Sequence, residues 1–164
     1  MTSARKILVI GCPGAGKSTF SIKLGKALSI KVFHLDMIQH RADKSTVDQE
    51  EFDQKLDEIL SQDEWIIDGN YTRTLSKRLQ YADKVFMFDL NVQDCLAGAK
   101  SRIGTFRPDF PYVEPVFDPD FEIWIKEFPD KQLPKVYQAL SAFKKEIVVF
   151  HTRKEADAYL ESIK

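Results

Sequence analysis

Residues Gly11-Cys12-Pro13-Gly14-Ala15-Gly16-Lys17-Ser18 match without a gap the Walker A pattern: Gly, four residues, Gly-Lys and a hydroxyl residue. Small residues let the backbone curl until successive N–H groups face one concavity, and an anion fills such a concavity best. The flanks decide whether the match has structural meaning. Before it, Lys6-Ile7-Leu8-Val9-Ile10 is a short apolar, β-branched run that reads as a buried strand. After it, Phe20, Leu24, Ala27 and Leu28 recur at helical spacing. Strand, loop and helix are the context in which this pattern holds phosphate. Gly11, Gly14, Ala15, Gly16, Lys17, Ser18 and Thr19 are therefore expected to bind the phosphates of ATP. In that role the Lys17 ammonium reaches the β- and γ-phosphates and the Ser18 hydroxyl ligates Mg²⁺, while the helix N-terminus adds partial positive charge.

The remaining chain repeats the alternation of strand and helix. Lys31 to Leu35 reads as a second strand ending at Asp36. Thr46 and Gln49 have the spacing of a capping box for a helix carrying Phe52, Leu56, Ile59 and Leu60. Trp65-Ile66-Ile67 is a third strand and Val85-Phe86-Met87-Phe88 a fourth, with Asn91 as N-cap of the helix that follows. Ile147-Val148-Val149-Phe150 is a fifth strand, and Thr152 with Glu155 opens a last helix. Five strands separated by helices predict βαβ units with right-handed crossovers, and hence an α/β fold on a parallel sheet.

Between the fourth and fifth strands, Pro108, Pro111, Pro115 and Pro119 exclude a continuous helix or a central strand. Residues 102–118 are read as a mobile surface segment that serves as a lid. Helix restarts at Asp118-Pro119 and breaks at Pro129, after which Leu133, Val136, Tyr137 and Leu140 repeat the apolar stripe. By their spacing Phe121, Trp124 and Trp65 are core residues.

Composition narrows the partners. With 24 basic and 25 acidic residues intermixed, the net charge of −1 argues against direct contact with DNA. A chain of 164 residues with 43% hydrophobic content suits one domain, 1–164. No leader-like apolar run follows Met1 and no stretch approaches membrane-spanning length, so a soluble cytoplasmic protein is expected. Cys12 and Cys95 are distant in sequence and lack metal-ligand spacing, as do His34, His40 and His151.

In a parallel α/β sheet ligands sit beyond the carboxyl ends of the strands. There the sequence places Asp36, Asp68, Thr152 and Arg153. Asp68 is expected to organise Mg²⁺ and Asp36 to take the proton of an acceptor hydroxyl. Thr152 and Arg153 are assigned to the nucleotide, Arg73 and Arg78 to an anionic acceptor. Arg102 and Arg107, at the start of the proline-rich segment, are assigned to the charge of a phosphoryl transition state.

Taken together, the Walker A stretch, Leu35-Asp36, Trp65 to Tyr71, Ala82-Asp83, Arg102, Arg107-Pro108-Asp109, Glu114 and Trp124 resemble the small adenylate-kinase-like P-loop proteins labelled topology modulation proteins. The similarity spans nearly the whole chain and extends, more distantly, to adenylate, shikimate and gluconate kinases. It implies a nucleoside monophosphate kinase-like P-loop fold with strand order 2-3-1-4-5. Where adenylate kinases carry Asp-Gly-Phe-Pro-Arg, this chain has Asp68-Gly69-Asn70-Tyr71-Thr72-Arg73, and the glycine triplet of shikimate kinases is absent. The leading expectation is a Mg²⁺- and ATP-dependent kinase acting on a small acceptor, nucleotide-like or hydroxyl-bearing. The second is a nucleotide-binding regulator, non-catalytic or weakly hydrolysing, linked to DNA topology.

Overall fold

The computed structural model describes residues 4–164; Met1 to Ser3, where the expectation about a leader begins, lie outside the described residues. Five strands form one parallel sheet: β1 (Lys6–Gly11), β2 (Val32–His34), β3 (Trp65–Asp68), β4 (Lys84–Phe88) and β5 (Glu146–Phe150), in the order β2-β3-β1-β4-β5. Every pairing is parallel, with Val9 opposite Asp68 on one side and Phe86 on the other. All five carboxyl ends thus open on the same edge.

Alternation along the pleat divides the core between the two faces. Ile7 and Val9 of β1 join Phe86 and Phe88 of β4 beneath α1 (Lys17–Leu28), where Phe20 packs edge-on against Phe86 at 5.0 Å. Leu8 and Ile10 face the other way with Val85 and Met87, onto Phe52 and Leu56 of α3 (Gln49–Leu60) and Leu75 of α4 (Thr72–Tyr81). Such buried strands read as unbroken apolar runs because both faces are covered.

Several boundaries differ from the sequence reading. The second strand ends at His34, and the fully buried Leu35 begins a short helix, α2 (Leu35–Gln39). The cap of α3 is Asp48, whose carboxylate accepts from the Glu51 N–H at 2.8 Å, and not Thr46. Asn91 and Thr152 do cap α5 (Val92–Ser101) and α8 (Arg153–Ser162), accepting from Asp94 N–H and Glu155 N–H. Helix α6 (Pro119–Lys131) begins at its Asp118 cap and runs through Pro129 before α7 (Leu133–Leu140). The break falls at Gln132, three residues later than expected, because one missing N–H late in a helix costs only the bond to Ile125.

Residues 102–118 contain neither helix nor strand. Gly104 N–H donates to the Glu114 carbonyl at 2.7 Å and closes the segment on itself. Among the described residues no helix is long and apolar enough to cross a membrane.

Candidate active site

The loop between β1 and α1 owes its shape to glycine. Gly14 (φ 79°) and Gly16 (φ 100°) are left-handed, and a Cβ on Gly14 would fall against the Cys95 carbonyl and the Ala99 backbone of α5. Gly16 is the N-cap of α1 and offers no side-chain acceptor, and the first turn holds no acidic residue. The first N–H groups of the helix therefore keep their hydrogen-bonding capacity for an anion. The loop is held from both sides. Asn70 accepts from Gly11 N–H at 2.9 Å and donates to the Gly11 carbonyl at 2.5 Å, while Arg153 donates to the Gly14 carbonyl at 2.6 Å.

A cavity of about 510 Å³ opens over this loop, with Gly14, Gly16, Lys17, Ser18 and Thr19 on its floor and Arg102, Arg107 and Arg153 on its walls. Lys17 donates to the Cys12 carbonyl at 2.9 Å, and burial lowers its ammonium pKa. Ala15 is fully buried behind the loop. Arg102, at the C-cap of α5, carries an Nε–H that is buried without a partner. Burial lowers its pKa, and the neighbouring Arg107 adds to the effect. Arg107 donates to Glu114 at 2.9 Å, lies 3.8 Å from Asp109 and covers the Phe110 ring at 4.9 Å.

A second cavity, also about 510 Å³, adjoins the first. Lys17, Ser18, Arg102 and Asp109 line both. Its polar wall comes from the ends of β2 and β3. Asp36 accepts from the Tyr71 hydroxyl at 2.6 Å, and Asp68 meets His34 Nδ1 at 2.5 Å. Burial raises the Asp68 pKa, which the His34 bond and charge partly offset. The same burial would lower the imidazole, yet Asp68 outweighs it and holds His34 above its ordinary value. Burial, with the Asp36 carboxylate, pushes the Tyr71 hydroxyl up, so it remains a donor. From the 102–118 segment comes Asp109, buried, accepting from the Ser18 hydroxyl at 2.8 Å.

Asp36, Asp68, Lys17 and Ser18, four of the residues that the strand-end argument brings to one crevice, thus share one cavity, with Arg102 from the end of α5 beside them, and four other assignments change. Arg78 is fully buried and donates to Thr74 Oγ1 and to the Gly69, Asn70 and Tyr71 carbonyls, so it braces the turn after β3 and faces neither cavity. Arg73 points outward to an exposed ion pair with Asp53 at 2.9 Å. Thr152 is spent on capping α8 and lines neither cavity, leaving Arg153 as the contribution of that corner. Trp124 is 38% exposed and walls the second cavity with Phe121, whereas Trp65 is core as expected. The residues that sequence reasoning passed over are His34, Tyr71, Asn70 and Asp109. Only the position of Asn70 and Tyr71 beside a strand-end Asp-Gly, and of Asp109 beside Arg107, gave any signal.

No family model matches the chain, and no curated protein matches it in sequence. Solved structures do. A shikimate kinase from Bacteroides thetaiotaomicron aligns with a TM-score of 0.68 at 16% identity, over 98% of this chain and 97% of that one. A gluconokinase from Sinorhizobium meliloti aligns at 0.54 and 14%, over 97% and 93%, and a deoxyadenosine kinase from M. mycoides at 0.54 and 15%, over 96% and 95%. None of the three is described as a topology modulation protein. At these identities the likeness speaks for the fold: the sheet order β2-β3-β1-β4-β5 with its loop after β1 is that of the P-loop kinases.

Proposed function

We propose that this chain is an ATP- and Mg²⁺-dependent phosphotransferase that passes the γ-phosphoryl group to a hydroxyl of a small acceptor. One observation carries the reading: Lys17, Ser18, Arg102 and Asp109 belong to both cavities. A triphosphate laid on the loop ends where the second cavity begins, and an acceptor hydroxyl there lies in line for attack. In the transfer the acceptor oxygen bonds to the γ-phosphorus, the bond to the bridging oxygen of ADP breaks, and the acceptor proton goes to Asp36. Tyr71 orients that carboxylate by its hydrogen bond. Lys17 and Arg102, which line both cavities, neutralise charge on the transferring group, and the 102–118 segment acts as the lid that brings Arg107 over the phosphates.

The donors suit Mg²⁺, which takes hard oxygen ligands and few protein carboxylates when phosphates supply the rest. The Ser18 hydroxyl and Asp109 are adjacent, and Asp68 stands on the same wall, its Oδ2 already engaged by His34. When bound, the ion offsets charge on the phosphate oxygens. We read the site as that of a cytoplasmic enzyme of small molecules; contact with DNA forms no part of the proposal.

The test is ADP release and mass-spectrometric detection of a phosphorylated product in a panel of hydroxyl compounds with ATP and Mg²⁺. Lys17→Ala should weaken ATP binding about tenfold or more and abolish transfer, since the cationic contact to the β- and γ-phosphates is lost. ATP binding without transfer to any acceptor would instead support the nucleotide-binding regulator.

A further inference from the structure

The charge of the second cavity restricts what can enter it. Only two permanent cations, Lys17 and Arg102, line this cavity among the described residues, and both also line the donor cavity, where triphosphate takes them. Arg78 is buried in its turn and Arg73 is paired outside. The one other basic group on the wall, His40, packs its ring against Phe110 at 4.8 Å. Against these stand five aspartates. Asp68 is paired with His34, and Asp109 holds Ser18 with Arg107 nearby. Among the described residues, Asp36, Asp118 and Asp120 form no ion pair, and of the three Asp36 lies in the field of Lys17 and Arg102, the two cations the triphosphate takes. Capping of α6 uses one oxygen of Asp118, which accepts from Asp120 N–H at 2.9 Å, and leaves the Asp120 carboxylate unused.

These two carboxylates stand one helical turn from an aromatic wall. Phe121 and Trp124 stack with centroids 6.3 Å apart and planes inclined by 11°, and Trp124 is partly exposed to the cavity. An aromatic face beside carboxylates attracts an ammonium or guanidinium group by its quadrupole and by charge. An anionic acceptor would meet three unpaired carboxylates and find no cation free.

We propose that the acceptor is a cationic hydroxyl compound, an amine- or guanidine-bearing alcohol or sugar, with its charge held between Asp118, Asp120 and Trp124 and its hydroxyl directed to Asp36. This rests on the phosphotransferase reading, and the two fail differently. Three sugars of one size and different charge, glucosamine, glucose and gluconate, are titrated against Trp124 fluorescence, with Trp124→Phe identifying the signal. Glucosamine should bind at least about tenfold more tightly than glucose, with gluconate weakest. In the folded double variant Asp118→Asn, Asp120→Asn the preference should vanish. Equal binding of all three, or a preference for gluconate, overturns the proposal. In parallel, ADP release is followed with amine-bearing, neutral and acidic hydroxyl compounds. Turnover confined to neutral or acidic acceptors overturns the charge assignment and leaves the phosphotransferase standing. Absence of turnover with every class, while ATP binds, overturns the phosphotransferase, and the fluorescence order then decides the charge preference alone.

Discussion

The Ser18 hydroxyl, on the first turn of α1, donates to the carboxylate of Asp109 across 91 residues of sequence at 2.8 Å. The phosphate loop and the 102–118 segment therefore meet at an oxygen pair suited to a hard cation. Asp109→Asn and Ser18→Ala are each expected to raise the Mg²⁺ concentration for half-maximal activity by roughly tenfold, with kcat at saturating metal changed much less. Asp68→Asn should raise it less than Asp109→Asn, because His34 already occupies one Asp68 oxygen. Metal titrations of the three variants check the order.

Asp68 and His34 form a buried pair whose proton has consequences for stability. His34 is held above its ordinary 6.5 in the fold, so its contribution is fully present below 6.5 and is lost as pH rises through the folded value. The buried Asp68, raised above its ordinary 3.8, has the same sign over a lower window, its contribution being lost as pH rises from 3.8 through its folded value. Denaturation midpoints should therefore fall as pH rises above about 6.5. His34→Gln, which cannot titrate, should flatten that dependence. A wild-type midpoint unchanged from pH 6 to 9 would show that the pair does not titrate there.

Arg78 illustrates an arginine that sequence reasoning assigned to a ligand and the structure assigns to the fold. Its guanidinium satisfies the carbonyls of Gly69, Asn70 and Tyr71, in a turn where Tyr71 itself adopts φ 35°. Arg78→Met leaves three acceptors unpaired, at about 1–3 kcal/mol each, so a loss of at least about 3 kcal/mol in unfolding free energy is expected. Arg73→Ala, which removes an exposed ion pair, should hardly move the denaturation midpoint.

Much of this architecture was legible because it is written locally. Buried parallel strands announce themselves as apolar runs, and the glycines and Lys-Ser of the loop are required by one short piece of backbone. Strand-end positions brought Asp36 and Asp68 to one cavity because the topology carries them to a single edge. What was not legible depends on contacts distant in sequence. Nothing around Asp109 indicates that it folds back onto Ser18. Nothing around Trp124, whose spacing is that of a core residue, indicates that its indole looks into a cavity. Thr152 and Arg78 were misassigned because their other duties, a cap and a turn brace, compete for the same polar atoms that a ligand would use.

Arg102 and Arg107 lie five residues apart, yet the structure gives them different tasks. Arg107 has partners for part of its guanidinium, since Glu114 accepts from Nη2 and Phe110 lies under its plane, while its Nη1 is buried without an acceptor 3.8 Å from Asp109; the residue lines only the donor cavity. Arg102 lines both cavities and keeps a buried Nε–H with no acceptor. A buried donor without a partner gains most from an anion that arrives only during the reaction, and of the two arginines only Arg102 also lines the acceptor cavity, toward which the γ-phosphoryl group moves in transit. Arg102→Ala should therefore lower kcat on the order of 10²-fold while ATP affinity changes by only a few-fold. Arg107→Ala should act mainly by loosening the 102–118 segment that Glu114 and Asp109 anchor. Its larger effect should be on KM for ATP, with protection from proteolysis in that segment reduced. Steady-state kinetics of both variants, with limited proteolysis in the presence and absence of ATP, measures the split. Equal losses of kcat would mean that both guanidinium groups reach the transferring phosphoryl group, and an Arg102→Ala enzyme with undiminished kcat would remove that residue from the chemistry.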